Sequence, residues 1–546
     1  MYGYLTQIFQ DALAAIGAED AHLVFESPKV ESHGDAATNV AMTLSKKLGK
    51  PPRTIAESII AALNYDTTLV YAVEIAGPGF INIRLSARYF TNGLQGLLDE
   101  GAAYGANTSG AGKRANVEYV SANPTGPLHP GHARNTMLGD CIANLYRWSG
   151  YGVTREYYFN NAGNQMNNLA RSIHARYRQL LGEKDYPFDE ENGYKGAYIF
   201  TIAEELVKSA GDSLKEPTDE NLSVCRKKGE EWCFASILNT LARLNVKHDV
   251  FFNEHSLYAD GKITETVGLL RDKGLVYEQD GATYIRTSEL GLEKDRVIIK
   301  STGEPTYRLP DMAYHAIKCQ RGDDIIVDIF GSDHAEVSKE VVAGVKALGY
   351  DTTKIHIILH QMVRFVKDGA EYKLSKRNGE QYTLDDLMDD VGVDVVRYFY
   401  SMRSADTQLV FDINLAQEQS DKNPVFYLQY AHARCANLFA KAQEKGVTIE
   451  TYTSLDLLIH PAETALIKTL LKFPLVVQRA TQNLEPHTIA DYLRDVAAAL
   501  HVFYHECRIL DAEPLLMNAR FALTRATQTV LKNGLAILGV NAPDKM

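Results

Sequence analysis

No run of about 18 apolar residues occurs in the 546-residue chain, which excludes a membrane-spanning helix. The opening residues Met-Tyr-Gly-Tyr-Leu-Thr-Gln lack a basic segment followed by an apolar one, so no secretory leader is expected. Cysteine is scarce. The six residues, Cys141, Cys225, Cys233, Cys319, Cys435 and Cys507, include no pair at C-x-x-C spacing. That argues against a disulfide framework or a structural zinc site, and a reducing cytoplasm is the expected compartment. Positive charge is in deficit, with 57 Lys and Arg against 69 Asp and Glu and a net charge of −12. The deficit is uneven, because residues 421–546 carry 13 basic and 12 acidic side chains. Net charge sums over the whole surface, so a local basic path for phosphates is not excluded. Fixed-period repeats and low-complexity blocks are also absent.

What is present is ordinary for a globular protein, with 45% apolar and 23% charged residues. A single core rarely exceeds roughly 250–300 residues, so two or more domains are expected. Residues 1–105 read as a small α+β unit, with helices at 4–16 and 39–47. Strands at 70–75 and 80–85 flank the turn Gly77-Pro78-Gly79. Residues 101–113, rich in Gly, Ala and Ser, read as a linker. A strand at 114–120, a helix at 133–148 and a strand at 153–159 form a β-α-β unit. Residues 166–250 are mostly helix-patterned and interrupt the sheet, with strand-like runs resuming at 297–300, 324–330 and 354–360. From about Leu384 to the end the pattern is almost all helical. The expected fold class is α/β. It combines a Rossmann-type doubly wound parallel sheet (110–383) split by a helical insertion, an N-terminal α+β domain (1–105) and a C-terminal all-α bundle (384–546).

The densest chemical signal follows the 114–120 strand. It reads Ser121, Ala122, Asn123, Pro124, Thr125, Gly126, Pro127, Leu128, His129, Pro130, Gly131 and His132, and it opens the next helix. Free backbone N–H groups at a helix N-terminus, with imidazole donors beside them, favour a phosphate. Gly131 leaves room for a flat base. The plain readings of H-x-x-H are two surface histidines or half of a metal site, and for the latter no third ligand stands at a recognisable spacing. The second signal is Lys373, Ser375, Lys376 and Arg377 in a loop between Gly369 and Gly379. Such a loop suits charge developing on a polyphosphate, and a solvated basic loop is its plain alternative.

With both signals in this order, the chain resembles the class I aminoacyl-tRNA synthetases. His129-Pro-Gly-His132 is similar to their HIGH signature, and Lys373-Leu-Ser-Lys376-Arg377 to their KMSKS signature. Residues 117–129, 423–434 and 538–546 resemble the arginyl-tRNA synthetases in particular. The resemblance implies ATP-dependent formation of arginyl-adenylate and transfer of arginine to the 3′ end of its tRNA. It implies ATP with Mg²⁺, no protein-held structural metal, no membrane partner and a monomer. It places Glu118, Ser121, Asn123, Tyr307 and Asp311 around the arginine, with Asp311 on the guanidinium. His334, in Gly331-Ser-Asp-His334, falls beside the nucleotide. Carboxylates suit a planar fork of donors. Tyr427, Tyr430 and Arg434 are spaced to share one helix face and make a stacking platform for unpaired bases. The resemblance puts this face and Met546 at the anticodon loop, and Phe80 with Asn82 at the D-loop. Three other readings stay open here: another class I synthetase, a smaller nucleotidylyltransferase, and an RNA-binding relative without catalysis.

Overall fold

The structure is a computed structural model that describes residues 3–26, 28, 30, 33–374, 382–447, 449 and 452–546. At the N-terminus, α1 (Gly3–Ala15) buries Leu5, Ile8, Phe9, Ala12 and Leu13, a stripe at helical spacing. It is followed by β1 (Ala36–Thr38), α2 (Val40–Leu48), α3 (Pro52–Ala62), β2 (Val70–Ala76) and β3 (Phe80–Leu85). The three strands form an antiparallel sheet in the order β1-β3-β2. Gly79 in the β2–β3 turn has φ 145°, and a Cβ there would meet Pro52 at 2.8 Å, so only glycine fits. Helix α4 (Ala87–Glu100) begins at Ser86, whose side chain accepts the Tyr89 N–H.

The expected linker at 101–113 is instead a packed segment. Tyr104 is buried and its ring stacks on Phe473 at 6.2 Å. The Asn107 and Gly110 N–H groups donate to the carbonyls of Trp148 and Ser149. Gly105 stands there because a side chain would strike the Phe473 ring, not because the chain needs slack.

The central sheet is parallel and has five strands. Along the chain come β4 (Arg114–Glu118), α5 (Pro130–Trp148), β5 (Gly152–Phe159), the helices α6 (Gly163–Leu180), α7 (Ala197–Ala210) and α8 (Asp219–Arg243), and then β6 (Val250–Asn253). Next are α9 (His255–Ala259), α10 (Lys262–Asp272), β7 (Val276–Gln279), β8 (Ala282–Ile285), β9 (Arg296–Ile299), α11 (Arg308–Gln320), β10 (Ile325–Gly331), α12 (Ala335–Leu348) and β11 (Ile355–His360). The sheet order is β11-β10-β4-β5-β6. One reading is corrected: the run at 297–300 lies outside this sheet. It is β9 of a separate antiparallel sheet, β7-β8-β9, and the fifth parallel strand is Val250–Asn253. Four residues of Val-Phe-Phe-Asn are too few to show a period, so the sequence hides this strand. The strand order reverses between β4 and β10, and ligands of such sheets bind in the crevice outside that point.

Then follow β12 (Val363–Lys367), β13 (Ala370–Glu371), α13 (Leu384–Val391), α14 (Val393–Ser401), β14 (Leu409–Asp412) and α15 (Ile413–Gln417). Beyond Leu384 the described residues are almost all helical, as expected, and the exception is β14, which pairs in parallel with β12. Leu409 and Phe411 alternate inward there, and both are buried. Helices α16 (Pro424–Glu444), α17 (Pro461–Leu470), α18 (Phe473–Asn483), α19 (His487–Glu506) and α20 (Pro514–Ile537) complete the chain. They join the sheet through buried Arg397, which donates to the Leu538 carbonyl at 3.1 Å and pairs with Asp140 on α5. Among the described residues no helix is long and apolar enough to cross a membrane.

Candidate active site

Parallel strands buried on both faces are usually apolar. Here three adjacent strands place carboxylates side by side: Asp328 on β10 is registered with Glu118 on β4, and Glu118 with Glu156 on β5. All three are buried. Their countercharges come from α11 and the residue that caps it, Arg321. Lys318 Nζ donates to Glu118 Oε2, and to Asp328 Oδ1 at 2.5 Å. Arg321 Nη1 donates to both oxygens of Glu156, at 2.7 and 2.8 Å. His315 sets Nε2 3.0 Å from Asp328 Oδ2 and Nδ1 2.8 Å from the Asp311 carbonyl. Both ring nitrogens therefore face acceptors, which requires the imidazolium. Burial opposes that charge, but the charge and hydrogen bond of Asp328, with Glu118 adding, together raise the His315 pKa. Burial likewise opposes the Asp328 charge, yet Lys318 and His315 hold its carboxyl well below the usual range. Burial pushes Glu118 up, and Lys318 offsets this only in part.

A cavity of about 400 Å³ opens at the strand ends. Glu118, Ser121, Asn123, Tyr307, Asp311 and His334, six residues singled out from the sequence, all line it. Asp311 shares a helix face with Tyr314, His315 and Lys318, at spacings i, i+3, i+4 and i+7. Burial pushes its carboxyl up to about 7, with Glu118 and Glu254 adding to the rise and His315 opposing it. Ser121 Oγ donates to Glu118 Oε1 at 3.0 Å and accepts the Tyr158 N–H at 3.1 Å. Asn123 accepts the Asn160 N–H at 3.0 Å and donates to Gln165 at 2.9 Å. Tyr307, at the start of α11, is 57% exposed. The His334 ring is exposed and stacks on Phe330 at 5.6 Å.

Sequence reasoning missed Glu254, which also lines the cavity. Its carboxylate accepts the Tyr158 hydroxyl at 2.7 Å and Asn160 Nδ2 at 2.8 Å. A glutamate after a four-residue strand carries no signal. Its partners Tyr158 and Asn160 lie at the end of β5 and just beyond it.

The signature helix corrects one expectation. Its first N–H groups are not free. His129 Nδ1 accepts the Gly131 N–H at 3.0 Å, His132 Nδ1 accepts the His129 N–H at 3.1 Å, and the His132 N–H goes to the His129 carbonyl. The rings lie 3.8 Å apart. Since each Nδ1 is an acceptor, each neutral ring carries its proton on Nε2, and those two N–H groups remain for an anion. Burial lowers the His129 pKa, and burial together with His129 lowers that of His132 to about 4. Gly131 is required by the cap itself, because a Cβ would lie 2.7 Å from the His129 ring. Pro130 occupies the first helical position, where a missing N–H costs nothing. Along the same loop, the Val120 N–H donates to Asn135, the Ala122 carbonyl accepts the Tyr157 hydroxyl, and the Leu128 carbonyl accepts the Leu384 N–H.

Lys373 is exposed beyond β13, whereas Ser375, Lys376 and Arg377 lie outside the described residues. On α16, Arg434 Nη2 donates to the Tyr430 hydroxyl at 3.0 Å, and its guanidinium also lies over the Tyr504 ring. Tyr430 is 41% exposed, while Tyr427 is half-buried against His501. Met546 is exposed. The tail before it runs along another face of α16, where Gln429 donates to the Asn541 carbonyl and His432 bonds the Pro543 carbonyl. Phe80 is exposed, but Asn82 is buried in the sheet beside Ala37 and Glu74. Among the described residues no group of His, Cys, Asp and Glu side chains is arranged to hold a metal ion.

Comparison with known proteins adds three family matches. Residues 94–403 match the class I (R) tRNA synthetase catalytic domain, 3–85 the arginyl tRNA synthetase N-terminal domain and 428–546 the DALR anticodon binding domain. The arginine–tRNA ligase of Salinibacter ruber is 46% identical over 567 residues, covering 100% of both chains. That of Chlorobium phaeovibrioides is 45% identical, again over 100% of both. The fold matches Thermus thermophilus arginyl-tRNA synthetase with a TM-score of 0.78 at 22% identity, over 100% of this chain and 99% of that one. A sheet with its cavity at the strand-order reversal, a histidine-capped signature helix and full-length relatives place this chain in the arginyl-tRNA synthetase family of class I aminoacyl-tRNA synthetases.

Proposed function

We propose that the chain joins L-arginine to its tRNA in two steps within the cavity at the β4–β10 ends. An oxygen of the arginine carboxylate attacks the α-phosphorus of ATP. The bond to the β-phosphate oxygen breaks, and pyrophosphate leaves. A ribose hydroxyl at the tRNA 3′ end then attacks the new acyl carbon, and AMP leaves. Neither step needs a side-chain nucleophile, so catalysis is positioning plus charge stabilisation. The observation that carries the reading is the anionic wall: Asp311, Glu254 and Glu118 all line one cavity. A guanidinium, with its fixed charge and planar donors, is the side chain such a wall suits best. Asp311 and Glu254 take the guanidinium, with Tyr307 against it. Glu118, Ser121 and Asn123 hold the α-amino end. His129 and His132 offer Nε2–H groups to the ATP phosphates, with Mg²⁺ arriving on the nucleotide, and His334 lies beside it. Lys373, Ser375, Lys376 and Arg377 receive the pyrophosphate charge.

Residues 384–546 take the tRNA stem and anticodon loop, through Tyr427, Tyr430, Arg434 and Met546. Residues 1–105 take the D-loop through Phe80 and Asn82. The chain acts as a monomer in the cytoplasm. Arginine-dependent ATP–pyrophosphate exchange, run with and without cognate tRNA, tests the reading. Exchange with arginine and with no other amino acid supports it. No exchange from folded, tRNA-binding protein overturns it.

Two variants check separate parts. Lys376→Ala is expected to lower kcat about 100-fold or more, the scale of losing one transition-state charge contact, with arginine KM within about twofold. Equal changes in both would remove Lys376 from the transition state. Tyr430→Ala is expected to weaken tRNA binding about 5- to 100-fold, the worth of one base stack, and to leave ATP KM unchanged. A filter-binding titration reads the first effect and exchange kinetics the second.

A further inference from the structure

The helical insertion reaches the signature loop through a side chain that the proposed reaction leaves without a role. Tyr198, on α7, donates its hydroxyl to the Thr125 carbonyl at 2.7 Å. Its ring stacks on Trp232 of α8, with centroids 5.6 Å apart and planes 20° apart. The next residue of the loop, Gly126, lies against the hydroxyl end of the phenol: a Cβ there would stand 3.0 Å from Tyr198 Oη and 3.3 Å from Cζ. At the other end, Gly196 lets the helix begin close against the same ring, since a Cβ would meet Cε1 at 2.4 Å. Two glycines and a tryptophan therefore fix where this phenol sits. The bonds to Val120, Ala122 and Leu128 come from α5, β5 and the start of α13, whereas Asn123 and Thr125 bond α6 and α7, the former side chain to side chain through Gln165 and the latter at its backbone carbonyl.

We propose that Tyr198 is a positioning residue for ATP. It fixes the backbone at Thr125–Gly126, four residues before His129, and so ties the packing of α6–α8 to the placement of the histidine signature. This rests on the reading that His129 and His132 face the ATP phosphates. A shift of α7 against α8 moves the phenol, and the loop must follow or lose the bond.

The test compares the full chain with Tyr198→Phe, which removes one hydroxyl and keeps the ring. Exchange kinetics at varied ATP and arginine are paired with amide deuterium exchange of residues 121–129 and with the thermal midpoint. The expected result is a rise in ATP KM of about three- to tenfold, the effect of one hydrogen bond. Arginine KM stays within about twofold, exchange at 121–129 quickens, and the midpoint does not move. Gly126→Ala gives a similar ATP effect in the Tyr198 background and a smaller one with Tyr198→Phe, because the nearest clashing atom is gone. Equal loss for ATP and arginine, an unchanged ATP KM, or a fall in midpoint that accounts for the loss would overturn the proposal. If the unaltered chain shows no arginine-dependent exchange, the functional reading falls separately. Deuterium exchange then still decides the tie, and no quickening at 121–129 overturns it.

Discussion

Asp311→Asn is expected to lower kcat/KM for arginine by about 30- to several thousand-fold, the cost of truncating one partner of a desolvated, hydrogen-bonded charge pair. An amide in that place offers an N–H₂ group to a guanidinium that has only donors of its own. ATP KM should stay within about threefold, because Asp311 stands on α11 while the histidine signature stands on α5. Glu254→Gln is expected to cost less. Glu254 already accepts from Tyr158 and Asn160, which hold much of its charge in place without a substrate. The free chain adds a pH test. Burial, with Glu118 and Glu254 nearby, raises the Asp311 carboxyl from the ordinary carboxylate range to about 7, and a bound guanidinium must favour the ionised form. Arginine affinity should therefore be flat above pH 7 and weaken about tenfold per unit below it, with a proton released on binding near neutrality. Lys318, a cation facing this group, stays charged over that window, and Asp328 favours the charged form of both Lys318 and His315. Calorimetry in buffers of different ionisation enthalpy reads the proton. A flat profile from pH 6 to 8, or an unchanged slope in Asp311→Asn, would remove Asp311 from the guanidinium.

How much of this was legible in the sequence follows from what each element needs. The β4–α5–β5 unit shows because its loop concentrates Pro, Gly and His where few other structures want them. Asp311 and Tyr307 stand out only beside the signatures, since a tyrosine and an aspartate at a helix start have a plain structural role. Strand β6 and Glu254 do not show at all: four residues give no period, and one glutamate gives no pattern. The cap on the signature helix could have been derived. Histidines at the N-cap and three residues on can each accept a backbone N–H, as a capping box does, which takes the donors that a bare helix end would offer. The row Asp328–Glu118–Glu156 needs the register of three strands distant in sequence, which no local pattern encodes. Its countercharge is partly readable, because Asp311, His315 and Lys318 repeat at helical spacing on α11.

That row makes Lys318→Met the largest expected effect on stability. Lys318 is fully buried and bridges Glu118 to Asp328. Removing it leaves two registered carboxylates facing each other, and breaking a buried pair in this way costs about 3–5 kcal/mol. The sign of the pH dependence is the sharper check. In the unaltered chain Asp328 sits below its ordinary range, so its contribution to stability is full above that range and is lost as pH falls through the depressed value. Without Lys318, His315 is the cation left beside Asp328, while burial and mutual repulsion raise Glu118 further, so the Glu118 contribution is full under acid and is lost as pH rises through its raised value. The variant's deficit relative to the unaltered chain should therefore shrink as pH falls from 7 to 5, read from denaturant midpoints of the sheet domain. Adding Glu118→Gln and Asp328→Asn to Lys318→Met removes the repulsion and should recover much of the stability, since neutral replacements of a buried ionic group are often no worse than the group itself. It should not recover arginine turnover, because Glu118 is also the wall of the cavity. Recovery of stability without activity would mean that the buried ions serve the substrate and the lysine serves the ions. A deficit independent of pH would mean that Lys318 contributes packing alone.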